Sequence, residues 1–183
     1  LGTIPVTVTT APTGMSITVD GLNYSSPHVF NWTIGSTHSI GTDSLQSSGL
    51  TGVRYKWKSW SDSGVLSHTV LPVLSSSYTA IFGTQFLFSI EEDSGGSITP
   101  PSGWFDSGTD QSFSIAPTPG YRIDSVIVDD VNLGMISFHE FTNIDSPHSL
   151  KGFYSLLIYT VNSTGTVGGT ISPSGAVDAR HGE

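Results

Sequence analysis

The chain has 183 residues, among them 30 Ser, 21 Thr, 21 Gly, 10 Pro and no Cys; 36% are hydrophobic, 10% aromatic and only 11% charged. The aromatic content excludes a disordered chain, no apolar run reaches the roughly 18 residues of a membrane helix, and the missing cysteines remove disulfides, zinc–thiolate sites and thiol nucleophiles together. Net charge is −9 with six basic residues, which excludes phosphate-driven binding to nucleic acid and to anionic membrane surfaces.

In chain order, the dominant pattern is alternation with a period of two, the mark of half-buried strands. Ile4, Val6 and Val8 alternate with Pro5, Thr7 and Thr9; Ile17 and Val19 alternate with Ser16 and Thr18. Val53, Tyr55 and Trp57 share one face, with Lys56 and Lys58 on the other, and Trp60 breaks the phase as a bulge would. Phe86, Phe88 and Ile90 form the next alternating run, and Phe113 and Ile115 another. Turn signals separate these runs: Pro12-Thr13-Gly14, Asp20-Gly21, Ser94-Gly95-Gly96, Pro101-Ser102-Gly103 and Pro119-Gly120. No stretch keeps helical spacing for three turns. Many short strands at this spacing predict an all-β chain of small antiparallel β-sandwich modules.

The chain also repeats itself. Gly95-Gly96-Ser97-Ile98-Thr99-Pro100-Pro101-Ser102-Gly103 recurs as Gly168-Gly169-Thr170-Ile171-Ser172-Pro173-Ser174-Gly175, one proline shorter, and Phe86/Phe88 recur as Tyr159/Val161. Tyr55-Lys56-Trp57-Lys58-Ser59-Trp60 matches Tyr121-Arg122-Ile123-Asp124-Ser125-Val126, and Phe30 to Ile40 matches Phe105 to Ile115. Self-similarity of this kind marks stacked repeats. The expected division is 1–83, 84–154 and 155–183, joined by short linkers at Phe82-Gly83-Thr84 and Gly152-Phe153-Tyr154, in an elongated array. The last segment is too short to close a core by itself. It is read as a truncated repeat, as a repeat continued outside this chain, or as donor strands for another subunit.

Val6 to Val19 with Asp20-Gly21, followed by Ser26-Pro27 and Gly35-Ser36-Thr37-His38-Ser39-Ile40, resembles the PEGA-type surface repeat. Gly95 to Pro100, then Phe113-Ser114-Ile115 and Pro119-Gly120-Tyr121 through Val128-Asp129, resembles a divergent InlB B-type repeat. Tyr55 to Asp62 is similar to the Trp-x-Asp strand of that family. Asp129-Asp130 departs from its Asp-Gly and puts the second hairpin turn in doubt. These resemblances imply tandem β modules of bacterial or archaeal surface proteins, without catalytic residues.

Ser, His and Asp are plentiful, but no Gly-x-Ser-x-Gly elbow or His-Glu-x-x-His motif occurs, since His139-Glu140 continues Phe141-Thr142-Asn143. No catalytic residue, cofactor or metal ligand is assigned. Calcium is the cation that turn acids would suit, at Asp129-Asp130, Glu91-Glu92-Asp93 or Asp106/Asp110, against the reading of solvated turns. Asn23, Asn31 and Asn162 head Asn-x-Ser/Thr sequons and are the glycosylation candidates. Trp32 and Trp104 flank turns and are the candidate contact aromatics for a sugar face, against the reading of core packing. Leu1-Gly2-Thr3-Ile4 lacks a signal peptide's basic start and apolar core, so if the protein is secreted the chain is expected to be a mature piece or an excised fragment. The expectation is a non-enzymatic extracellular or cell-surface spacer or adhesive stalk. Its partners are neighbouring repeats or like subunits, or surface glycans, without nucleic acid and without membrane insertion. The alternatives are a self-assembling filament subunit and a glycan-binding or cell-wall-binding accessory module.

Overall fold

The computed structural model describes residues 2–165 and 167–181, and these contain strands and turns but no helix. The chain divides into two compact units, Leu1–Phe86 and Leu87–Glu183, so that 155–183 fall with the second.

The first unit contains β1 (Thr3–Ala11), β2 (Ser16–Val19), β3 (Leu22–Ser25), β4 (His28–Thr33), β5 (His38–Gly41), β6 (Leu45–Ser47), β7 (Val53–Trp60), β8 (Ser67–Val70) and the first part of β9 (Ser76–Glu92). One sheet runs β4-β1-β9-β7-β6 and a second runs β3-β2-β5-β8. Alternation does what the pleat requires. Val6 and Val8 of β1, Ile17 and Val19 of β2, Ile40 of β5 and Trp60 of β7 all point into one core between the sheets.

The second unit takes the rest of β9 with β10 (Gly96–Thr99), β11 (Gly103–Asp106), β12 (Gln111–Pro117), β13 (Tyr121–Val128), β14 (Val131–Asn132), β15 (Phe138–Phe141), β16 (His148–Leu156), β17 (Ile158–Ser163) and β18 (Gly175–Arg180). Its sheets run β11-β9-β16-β13-β14 and β10-β12-β15, with β17-β18 as a separate pair. Phenylalanine fills this core. The Phe88 ring lies 4.9 Å from Phe105, 5.5 Å from Phe113 and 4.9 Å from Phe141.

The two units close in the same way. The first strand pairs in parallel with the last, as Val8 with Tyr78 in β1/β9 and as Ile90 with Leu150 in β9/β16. The last strand then pairs antiparallel with β7 or β13, and each of these pairings shifts register by one residue, at Lys58 and at Asp124. That extra residue turns Trp60 and Val126 inward after Trp57 and Ile123.

Two expectations are corrected. The sheet through β9 is mixed rather than antiparallel, because the closing strand of each unit returns beside the opening strand and runs in the same direction, a whole unit serving as the crossover that parallel strands need; β3-β2-β5-β8 and β10-β12-β15 are antiparallel as expected. Alternation of side chains carries no information about strand direction. Phe82-Gly83-Thr84 and Gly152-Phe153-Tyr154 are not linkers but strand interiors of β9 and β16. The Asp129-Asp130 turn closes a hairpin after all, with Val128 paired to Val131. Both residues adopt left-handed backbone, at φ 46° and 64°, matching Asp20-Gly21 at 48° and 80° and the two-residue turns that suit twisted strands. Asp130 has a Cβ where glycine has none. Asp130→Gly should therefore raise the stability of the second unit by up to about 1 kcal/mol, read as a higher denaturation midpoint with an unchanged slope.

Candidate functional site

The chemistry-bearing residues that the fold brings together are three His–Asp pairs. At the end of β2 the left-handed turn places the Asp20 carboxylate against β5. One oxygen lies 2.7 Å from His38 Nδ1 and the other accepts the Ser39 N–H at 2.8 Å. Ser36 Oγ sits 2.8 Å from His38 Nε2 and 2.7 Å from the Thr33 carbonyl. The imidazole also stacks on Trp32, with ring centroids 4.0 Å apart and planes 7° apart.

The second unit repeats the device at a different place. Asp129, at the end of β13, holds His148 Nδ1 at 2.6 Å and the Ser149 N–H at 2.8 Å, with Ser146 Oγ 3.5 Å from His148 Nε2. Here the imidazole rests against Phe141 and Phe88. The third pair is Asp62 with His68 Nε2, at 2.8 Å, while His68 Nδ1 faces the Val65 carbonyl at 2.8 Å.

Ser36, His38 and Asp20 thus form the hydrogen-bonded series of a hydrolytic triad, yet the local geometry ties it to the strand ends. The hydroxyl has one proton. When it goes to the Thr33 carbonyl, Ser36 Oγ accepts from His38 and the ring is a double donor. When it goes to His38, the ring is neutral. In either state Asp20 closes the β2/β5 end through two bonds, one of them to backbone. The signal for this device is Ser36-Thr37-His38-Ser39 and Ser146-Pro147-His148-Ser149, each about one hairpin after an Asp turn; sequence reasoning missed it.

The hydrogen bond from His38, together with the Ser39 N–H, holds the Asp20 carboxyl below the usual range despite partial burial. Burial pushes the Asp62 carboxyl up, but its bonds from His68 and the Gly64 N–H outweigh this and leave it lowered. Burial lowers His139, with Asp129 opposing and His148 assisting. Burial also raises the Tyr154 phenol, helped by Glu92 and Asp93, so it stays neutral and donates to the Ser97 carbonyl at 3.3 Å.

Depressed carboxyls give stability that is complete above their unfolded values and is lost as pH falls through the folded ones. The first unit should therefore lose stability progressively as pH falls below about 4. Asp20→Asn should flatten part of that acid limb.

The sequence candidates are scattered. Asn23 on β3, Asn31 on β4 and Asn162 on β17 are exposed, and Asn23 Oδ1 accepts from Thr18 at 2.9 Å. Trp32 is only 6% exposed and stacked between Phe30 and His38, so it has no free face to offer a sugar ring; a turn follows it, but its side chain points inward from β4. Trp104, on β11, is half-buried. The turn acids are used locally. Glu92 accepts the Ile98 N–H, Asp93 accepts those of Gly95 and Tyr154, and Asp110 accepts that of Asn143. Among the described residues no three His, Asp or Glu side chains converge as a metal-ligand group. No helix of the described residues is long and apolar enough to cross a membrane. No family model, curated protein or solved structure matches the chain.

Proposed function

We propose that this chain is a non-catalytic structural region of an extracellular or cell-surface protein: small β-sandwich modules in an elongated tandem array, serving as a spacer or adhesive stalk. The observation that carries the reading is the recurrence of the same parallel closure and the same one-residue bulge in Leu1–Phe86 and Leu87–Glu183. Repetition of a unit adds length without adding chemistry. The PEGA-like and InlB B-like patterns agree with this role. The His–Asp pairs act as clamps on strand ends, and neighbouring repeats or like subunits are the partners.

Force spectroscopy tests the mechanical reading. Each of the two units, Leu1–Phe86 and Leu87–Glu183, should give its own unfolding event, with a contour gain of roughly 300 Å. A single event releasing the whole chain would count against separate modules. A second reading, a filament subunit that uses residues 155–183 as donor strands, is favoured by the exposed Ile158, Tyr159 and Val161. It requires polymers that dissolve when that segment is deleted.

A further inference from the structure

The β17-β18 pair corresponds to the opening pairs of the two units, β1-β4 and β9-β11. Val161 faces Val177 as Val6 faces Phe30, and Val161 and Val177 occupy the repeat positions of Phe88 and Phe105, whose rings touch at 4.9 Å. In both earlier units the opening strand has a second neighbour on its other edge, the parallel closing strand. Among the described residues β17 pairs with β18 alone. The consequence is seen in burial: Val6 and Phe88 are 0% exposed, Val161 is 55% exposed. Val161, Ile171, Pro173, Val177 and Ala179 line an open apolar cleft of about 300 Å3.

The glycines point to the same missing element. In the second unit the closing strand lays the Tyr154 ring over Gly96, where an added Cβ would meet Tyr154 Cε1 at 2.2 Å. The repeat equivalent, Gly169, has nothing within 4 Å of such a Cβ.

We infer that β17 is the acceptor edge for a parallel closing strand of this same repeat type, with an aromatic side chain seated on Gly168-Gly169. The occupant's chemistry follows from the two closing strands present. Ser77-Tyr78-Thr79-Ala80-Ile81-Phe82 and Ser149-Leu150-Lys151-Gly152-Phe153-Tyr154 share Ser, apolar, polar, small, apolar, aromatic in order. Their pairing places the residue before that serine beside Val6 and Phe88, hence beside Val161. The inference rests on the tandem-repeat reading, since it treats 155–183 as the opening of a third unit.

The test uses the full chain and a synthetic peptide with the sequence of residues 148–156, followed by hydrogen exchange. Amides from Val161 to Gly165 should exchange about tenfold more slowly at peptide concentrations about ten times the dissociation constant, and a scrambled peptide should leave them unchanged. Gly169→Val should not alter the free chain but should weaken peptide binding about tenfold, by filling the seat of the aromatic ring. Unchanged exchange, equal slowing by the scrambled peptide, or protection that instead grows with the chain's own concentration would each overturn the inference. The last would make a second copy the occupant. Failure here with two separate unfolding events under force would sink the acceptor edge alone; a single event would sink the modular reading itself.

Discussion

Phe88→Ala is expected to destabilise the second unit by about 3–5 kcal/mol, the cost of deleting a fully buried aromatic ring and leaving a cavity. Phe88 is 0% exposed and is ringed by Phe105, Phe113, Phe141 and His148. These neighbours come from both sheets, and backbone pairing holds their strands apart, so the site cannot collapse to fill the space. The loss is a large part of a domain stability of about 5–15 kcal/mol. Guanidinium titration followed by signals of the second unit should show the midpoint move sharply. Ser89→Ala, one residue on and on the opposite, exposed face, should change stability by less than about 0.5 kcal/mol. Similar losses in the two variants would mean that Phe88 is not the centre of that core.

Gly96→Ala carries the second large effect, and its value lies in the contrast with Gly169→Ala. The new methyl at 96 would lie 2.2 Å from Tyr154 Cε1 and 2.3 Å from Cζ. The ring cannot swing away cheaply: it is 8% exposed, its hydroxyl donates to the Ser97 carbonyl and its own N–H is held by Asp93. Overpacking of this kind costs about 1–3 kcal/mol. At Gly169 the same substitution meets open space and should leave the midpoint where it is. The two glycines occupy the same place in the repeated sequence, but only Gly96, in β10, lies under an aromatic ring of a closing strand, whereas Gly169 lies in the loop between β17 and β18.

Much of this was legible in the residues. The alternation of Ile4, Val6 and Val8, and of Phe113 and Ile115, marks strands because one face must be apolar. The match of Tyr55–Trp60 with Tyr121–Val126 identified strands that occupy equivalent places, bulge included. Other features were not legible. Parallel closure depends on contacts between residues about 70 apart, as Val8 with Tyr78, and side-chain alternation is the same for either direction. Gly83 looked like a joint, but it lies inside β9, paired with Lys56 of β7. Trp32 looked exposed because a glycine turn follows it, whereas the pleat of β4 turns it into the core. The clamps at Asp20–His38 and Asp129–His148 stayed hidden because their partners are 18 and 19 residues apart and become neighbours only when antiparallel strands bring a turn beside a strand start.

Small-angle X-ray scattering of the whole chain decides whether the proposed tandem array forms in solution. The proposed array should give a pair-distance distribution with an early peak and a long tail, the signature of an elongated particle. A symmetric, bell-shaped distribution, with the radius of gyration of a single compact body of this length (about 16 Å), would contradict it.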